Sequence, residues 1–201
     1  MRELGAVTYL LFAVYVANSL MLSAVAAKQA GRPPWRVGTG QPLQRLSDWT
    51  LRIAFAAALA WPPLRMWTGG LASDPLTGIF AGMSGSLSGH LLVALGAAVA
   101  LISQYHLGSA RRSAAESGQS GLVQNGPFAV SRNPILIGRM VMFAGLFLAF
   151  PDLVQALISA SVLVAAIVQV RVEEYVLKAT FGAAYDAYAA RVPRWTGWIR
   201  W

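Results

Sequence analysis

An uncharged run from Leu4 to Ala27 constrains this chain more than any other feature. About 24 residues, at about 1.5 Å each, cover the roughly 30 Å hydrocarbon core of a bilayer. The run exceeds the ~7–15 apolar residues of a signal peptide. Arg2 and Glu3 precede it and Lys28 closes it, so it reads as a retained helix. Composition agrees. Hydrophobic residues make up 56% of the chain and charged residues 12%, against about 25% charged in soluble domains. So few charges cannot cover a globular surface in water.

Four further segments can follow the first. Ile53–Leu64 is uncharged between Arg52 and Arg65, and snorkelling of both arginines extends it from about Trp49 to Trp67. Pro62 and Pro63 are expected to kink or end it. A third span runs from about Leu87 to Tyr105, after a Gly/Ser-rich approach at 82–89. A fourth runs from Ile135 to Phe150, and a fifth from Leu153 to Val170, joined by a turn at Pro151-Asp152. The expected fold is all-α and polytopic, with about five spans and a C-terminal helical segment outside the membrane. Residues 1–86 form two N-terminal spans and 87–201 the remaining core.

Lys and Arg fall on one side of this topology. Lys28, Arg32, Arg36 and Arg45 lie in the first connection. Arg111, Arg112 and Arg132 lie in the third. Arg171, Lys178, Arg191, Arg194 and Arg200 lie in the tail. The other side has Arg65 and Arg2. The bias places the N-terminus outside and the C-terminus in the cytoplasm, as in a bacterial inner membrane. It also supports the weak second span, without which the alternation breaks. The net charge of +8 therefore needs no nucleic-acid partner. The absence of cysteine excludes disulfides, thiolate metal sites and cysteine nucleophiles. Two histidines are too few for a multi-histidine metal centre.

Chemistry is sought where the two longest extramembrane pieces, Leu107–Pro134 and Arg171–Trp201, meet. In the first, Gly126-Pro127 marks a turn. In Ser131-Arg132-Asn133-Pro134, the proline holds Asn133 extended and presents Arg132 at a helix start. A helix N-terminus beside an arginine receives a carboxylate or phosphate; an anchor for lipid headgroups is the plainer reading. In the second, Glu173 and Glu174 end an apolar helix, where carboxylates facing lipid are costly. Arg171 and Glu174 are spaced to pair on one face, which turns Glu173 elsewhere, toward a cation. A solvated helix end with an internal ion pair is the plainer reading. Tyr185, Tyr188 and Val192 share a stripe that packs on the membrane surface or walls an adenine pocket. Trp195, Trp198 and Trp201 suit an interface. His90 reads as structural, His106 has no support for a site role, and Met140 and Met142 read as core.

Taken in order, Leu107-Gly108 with Arg112, Gly121-Leu122-Val123 with Gly126-Pro127-Phe128, Ser131-Arg132-Asn133-Pro134 with Gly138, an apolar hairpin, Gln169 through Glu174, and Gly182 with Tyr185, Tyr188, Arg191 and Val192 resemble the isoprenylcysteine carboxyl methyltransferase family, which includes phospholipid methyltransferase-like proteins. The match covers about residues 94–195. Each motif alone is weak, and their order carries the resemblance. The Ser-Arg-Asn-Pro form looks like a bacterial branch. The resemblance implies an integral membrane methyltransferase whose cofactor, S-adenosylmethionine, sits at the cytoplasmic ends of the last helices.

By that resemblance, Arg132 and Glu173 are the catalytic candidates. Gly126, Pro127, Arg132, Asn133, Pro134, Gly138, Glu173, Glu174, Tyr185 and Tyr188 are the cofactor-binding candidates, and Arg112 meets the acceptor or a polar group of the cofactor. No metal is expected. The family's histidine is Asn133 here, and its aromatic residue two after the proline is Leu136. Asparagine donates a hydrogen bond but is no general base at neutral pH, so cofactor binding survives the change more easily than substrate identity. The partner is a lipophilic acceptor that enters from the bilayer: a carboxylate, a lipid amine or a thiol. Two other functions stay open, an NADPH-dependent membrane reductase on a related scaffold and a non-enzymatic membrane protein.

Overall fold

The computed structural model describes residues 2–29, 42–68, 74, 76, 79, 87–116 and 121–196. The basic positions Arg32 and Arg36, the approach at 82–86, and Trp198, Arg200 and Trp201 lie outside the described residues. Among the described residues, six α-helices follow in order: α1 (Arg2–Gln29), α2 (Pro42–Thr68), α3 (Leu87–Glu116), α4 (Pro134–Ala149), α5 (Leu153–Phe181) and α6 (Ala183–Arg191). A short 3-10 turn, Gly126–Ala129, precedes α4. Among the described residues there is no strand, so the all-α expectation holds.

Among the described residues, three helices are long and apolar enough to cross a membrane: Leu4–Val25, Leu87–Ser113 and Leu153–Phe181. α4 is a shorter apolar helix. α2, which carries Arg45, Asp48, Arg52 and Arg65, is not among the three. Apolar side chains such as Leu10, Ile53, Leu91 and Val164 are exposed on the outside of the bundle, where lipid replaces water as the solvent.

α3 and α4 run antiparallel, backbone against backbone. A Cβ on Gly138 would stand 2.6 Å from the backbone of Ala100 and of Gly96, and one on Gly145 would stand 2.6 Å from the backbone of Val93. Glycines one heptad apart on each helix let two backbones meet without a side chain between them, the packing that membranes favour over apolar bulk. Around this seam Phe12, Tyr15, Val93, Met142, Phe143 and Val162 form the core. The ring of Phe143 meets Phe12 and Phe55 edge-on.

Three expectations need correction. Of the two outcomes expected at Pro62 and Pro63, a kink or an end, the end does not occur: α2 continues to Thr68. A proline at 63 offers no N–H to the carbonyl of Leu59, and the Tyr9 hydroxyl donates to that carbonyl instead, at 2.7 Å. The third helix does not stop near Tyr105 but runs to Glu116, so Leu107, Gly108 and Arg112 sit on helix rather than loop. Arg171 does not pair with Glu174, whose partners come from elsewhere. The hairpin turn is as expected: Asp152 caps α5 by accepting from the Gln155 backbone N–H at 2.8 Å.

Candidate functional site

Two segments far apart in sequence cross at one end of the bundle. The chain before α4 and the chain after α6 lie side by side, the Arg132 N–H donating to the Pro193 carbonyl at 3.0 Å. The Ser131 hydroxyl donates to the Arg194 carbonyl at 3.2 Å and accepts from the Asn133 N–H at 3.0 Å. These bonds pin Arg132 and Arg194 on either side of the late turns of α5, where Glu174 is buried.

Glu174 is the centre of the cluster. Its Oε2 accepts from Arg194 Nε at 3.0 Å and from Arg194 Nη2 at 2.7 Å. Its Oε1 lies 3.3 Å from Arg132 Nη2 and accepts weakly from Asn133 Nδ2 at 3.4 Å. Asn133 Nδ2 also donates to the Arg194 carbonyl at 3.1 Å. A carboxylate taken from water is tolerable only with such pairing. The geometry explains why Asn133 serves here: its amide supplies two donor directions and needs no proton exchange. Arg132 Nε is buried without a partner, so its guanidinium keeps one donor unspent.

α6 closes the cluster from the side. Gly182, at φ +49°, lets the chain turn from α5 into α6. Tyr185, Tyr188 and Val192 then bury one stripe against Leu122, Leu177 and Phe181, as their spacing predicts. The Tyr185 hydroxyl sits 3.5 Å from Arg132 Nη1, with the guanidinium 6.0 Å from the ring centre. Burial first, and the Glu174 charge second, push the Tyr185 hydroxyl above its ordinary value. Tyr188, pushed up to about 12 by burial and by Tyr185, donates to the Phe128 carbonyl at 2.8 Å. The hydrogen bonds to Glu174 hold Arg194 above its usual range.

The remaining sequence candidates are distributed as follows. Gly126, at φ +58°, opens the 3-10 turn, and a Cβ there would stand 2.6 Å from the His106 ring. Pro127 starts that turn. His106 Nε2 and the Asn125 side-chain oxygen share a hydrogen bond of 2.9 Å, so this histidine shapes the turn. Pro134 starts α4, and Gly138 lies one turn on, in the seam with α3. Arg112 is exposed on α3. Glu173, next to Glu174 in sequence, has no contact with the cluster: its Oε1 accepts from Gln169 Nε2 at 2.7 Å. An open groove of about 400 Å³ is lined by Ala110, Gly121, Leu122, Gln124, Asn125 and Arg191. It does not touch Glu174, but α6 carries residues of both. Arg191 Nη2 donates to Gln124 Oε1 at 2.8 Å across its wall. Among the described residues, no three His, Asp or Glu side chains are gathered to hold a metal ion.

Arg194 was the residue that sequence reading passed over as one more topogenic charge. The signal available was Pro193 beside it, which stiffens the return of the chain toward Arg132.

Comparison with known proteins returned one finding. Residues 85–184 match the family model described as phospholipid methyltransferase. No curated protein and no solved structure matches the chain. The matched region runs from the start of α3 into α6 and holds Arg132, Asn133, Glu173 and Glu174. Arg194 lies ten residues past it. With these helices and this match across about half its length, the chain belongs to the phospholipid methyltransferase family and is an integral membrane methyltransferase by kinship.

Proposed function

We propose that the protein transfers a methyl group from S-adenosylmethionine to a lipophilic acceptor at the cytoplasmic face of a membrane, such as the bacterial inner membrane, crossing it five times with the N-terminus outside. The observation that carries this reading is the Arg132–Glu174–Arg194 cluster, of which Arg132 and Glu174 lie inside the family-matched region. The amino-acid end of the cofactor is a zwitterion. Its carboxylate suits a guanidinium, and its ammonium suits a carboxylate, so it satisfies both partners of an Arg–Glu pair when it opens one. Arg132 has a spare donor for the cofactor carboxylate, and Glu174 takes the ammonium. This assigns to Glu174 the part for which Glu173 and Glu174 were both candidates. Arg194, half-exposed, is the partner free to swing away.

The groove along Gly121–Asn125 is within the size range of small-molecule sites. Leu122 lines it and packs against the Tyr185–Tyr188 stripe, and the groove suits the adenosine end. Gly126, Pro127, Asn133 and Pro134 fix the backbone between the two ends, with Gly138 behind them. Arg112 stands at the cytoplasmic rim for an acceptor head. The protein's contribution to methyl transfer is alignment and exclusion of water, since the sulfonium already carries the activation. The first two helices wall the acceptor's path from the bilayer.

The test is transfer of label. Protein in detergent is incubated with methyl-labelled S-adenosylmethionine and a total bacterial lipid extract, and the organic phase is counted. Label above a protein-free blank, lost in Arg132→Ala, is the expected result. A blank-level count from well-folded protein contradicts the reading.

A further inference from the structure

The groove along residues 121–125 has apolar walls from Ala110, Leu122 and Val123, and polar groups from Gln124, Asn125 and Arg191. Both amides are held by their oxygens. Gln124 Oε1 accepts from Arg191 Nη2 at 2.8 Å. A guanidinium has donors only, so no other orientation of this amide serves the pair. Asn125 stands at the N-cap of the 3-10 turn, but its side chain makes no capping bond. Its Oδ1 lies 2.9 Å from His106 Nε2 instead, and that ring nitrogen carries the proton of the bond.

Each holder is fixed in turn. Arg191 Nε donates to the Ala187 carbonyl of its own helix at 3.4 Å. The His106 ring stacks on Phe128, with centres 6.4 Å apart and planes 28° apart, and Phe128 is buried. The same ring lies against Gly126, where a Cβ would stand 2.6 Å from it. α3 and α6 thus each contribute one side chain that turns an amide.

What the two amides have left is their N–H donors, and neither nitrogen makes a hydrogen bond among the described residues. A free side-chain amide reads adenine with both ends, donating to N7 and accepting from the N6 amine. A tethered amide offers its donors alone. Arg191 commits Nη2 and Nε to the protein, so the groove presents neutral donors between apolar walls. That combination suits the acceptor nitrogens of a flat heterocycle; an anion would call for the guanidinium itself.

We propose that Gln124 and Asn125 read the ring nitrogens of the methyl donor's adenine and not its N6 amine, and that Arg191 and His106 are the positioning residues that enforce this choice. The identity of the occupant rests on the methyltransferase reading; the orientation of the amides does not.

The test is equilibrium dialysis of full-length protein in detergent against labelled adenosine, purine riboside and S-adenosylhomocysteine. Purine riboside keeps every ring nitrogen of adenosine and lacks the amine. It is expected to bind within about threefold of adenosine, since no bond is lost. Gln124→Glu keeps the acceptor for Arg191 and removes the donor, and is expected to weaken adenosine and S-adenosylhomocysteine about tenfold. His106→Phe keeps a ring on Phe128 and releases the Asn125 oxygen, and is expected to favour adenosine over purine riboside about tenfold. Purine riboside that binds wild type about tenfold more weakly than adenosine, or Gln124→Glu that binds as tightly as wild type, overturns the proposal. An unchanged ranking in His106→Phe overturns the part given to His106. If a variant does not fold, the wild-type ranking decides alone. Wild-type protein that binds both ribosides but no S-adenosylhomocysteine contradicts the methyl-donor reading and leaves the groove's selectivity standing. Wild-type protein that binds none of the three overturns both.

Discussion

Each end of the bundle holds a buried carboxylate facing an arginine, and the two ends use that pairing in opposite ways. At the hairpin end, Asp152 is 2% exposed. It accepts from Arg65 at 2.8 Å, from Trp61 Nε1 at 3.0 Å and from the Gln155 N–H at 2.8 Å. The carboxylate is satisfied by two side chains of α2 on one side and by its own helix on the other, and it joins the two helices. At the opposite end, Glu174 is paired as fully, but Arg132 Nε beside it is a buried donor without a partner, and Asp48 Oδ2 and Gln169 Oε1 are buried acceptors without one. What is left over beside Asp152 is an amide oxygen, that of Gln155. A network that leaves a guanidinium donor unspent as well as acceptors is suited to a ligand. The difference is in the chemistry of what is left over.

Substitutions that treat the two ends as equivalent should therefore give unequal results. The largest effect on folding belongs to the hairpin end. Asp152→Ala removes a cap and strands Arg65, at a cost of about 3–4 kcal/mol, read as a lowered midpoint in detergent unfolding. Affinity for S-adenosylhomocysteine should be unchanged in the protein that remains folded. Next, Arg132→Ala should weaken S-adenosylhomocysteine about 30- to 100-fold, the loss of a charge-assisted contact of about 2–3 kcal/mol, in an equilibrium binding assay. Its unfolding midpoint should move less than that of Asp152→Ala, because Arg194 still pairs with Glu174.

Tyr188→Phe deletes the buried bond to the Phe128 carbonyl and should cost about 1–2 kcal/mol of stability in the same unfolding assay. This tyrosine also sets a pH limit. Its folded value is raised from 10.0 to about 12, so the fold favours the neutral phenol. Its contribution is complete below about pH 10 and is lost as pH rises toward 12, where the unfolded chain ionises first. Tyr188→Phe should flatten that part of a stability–pH curve. The smallest effect is expected at Lys178–Asp186, an exposed ion pair at 2.9 Å. Lys178→Ala should shift stability by less than about 0.5 kcal/mol.

Much of the architecture was legible in the sequence, because a bilayer leaves few choices. Uncharged runs became α1, α4 and α5, and Pro151-Asp152 became the hairpin turn. Local periodicity also placed Tyr185, Tyr188 and Val192 on one buried stripe. Local reasoning failed where partners came from afar. The i,i+3 spacing pointed Arg171 at Glu174, yet Glu174 faces inward and Arg171 outward. The pairing was won by Arg132 and Arg194, brought in by backbone bonds between two loops. Prolines at 62 and 63 read as breakers because the sequence does not show that Tyr9, from α1, serves the carbonyl they leave open. Asp48 drew no notice, since a lone acid in a weak span looks like a helix end. Its burial follows only from how α2 packs on α5.

The most direct measurement is equilibrium binding of S-adenosylhomocysteine to purified wild-type protein, Arg132→Ala and Glu174→Gln, with Asp152→Asn as the structural control and NADPH as competitor. Saturable binding in wild type and in the control, lost in both site variants and indifferent to NADPH, is the predicted result. Equal binding in all four proteins would show that the cluster around Glu174 is not where the methyl donor sits. Displacement by NADPH would make the site that of a reductase.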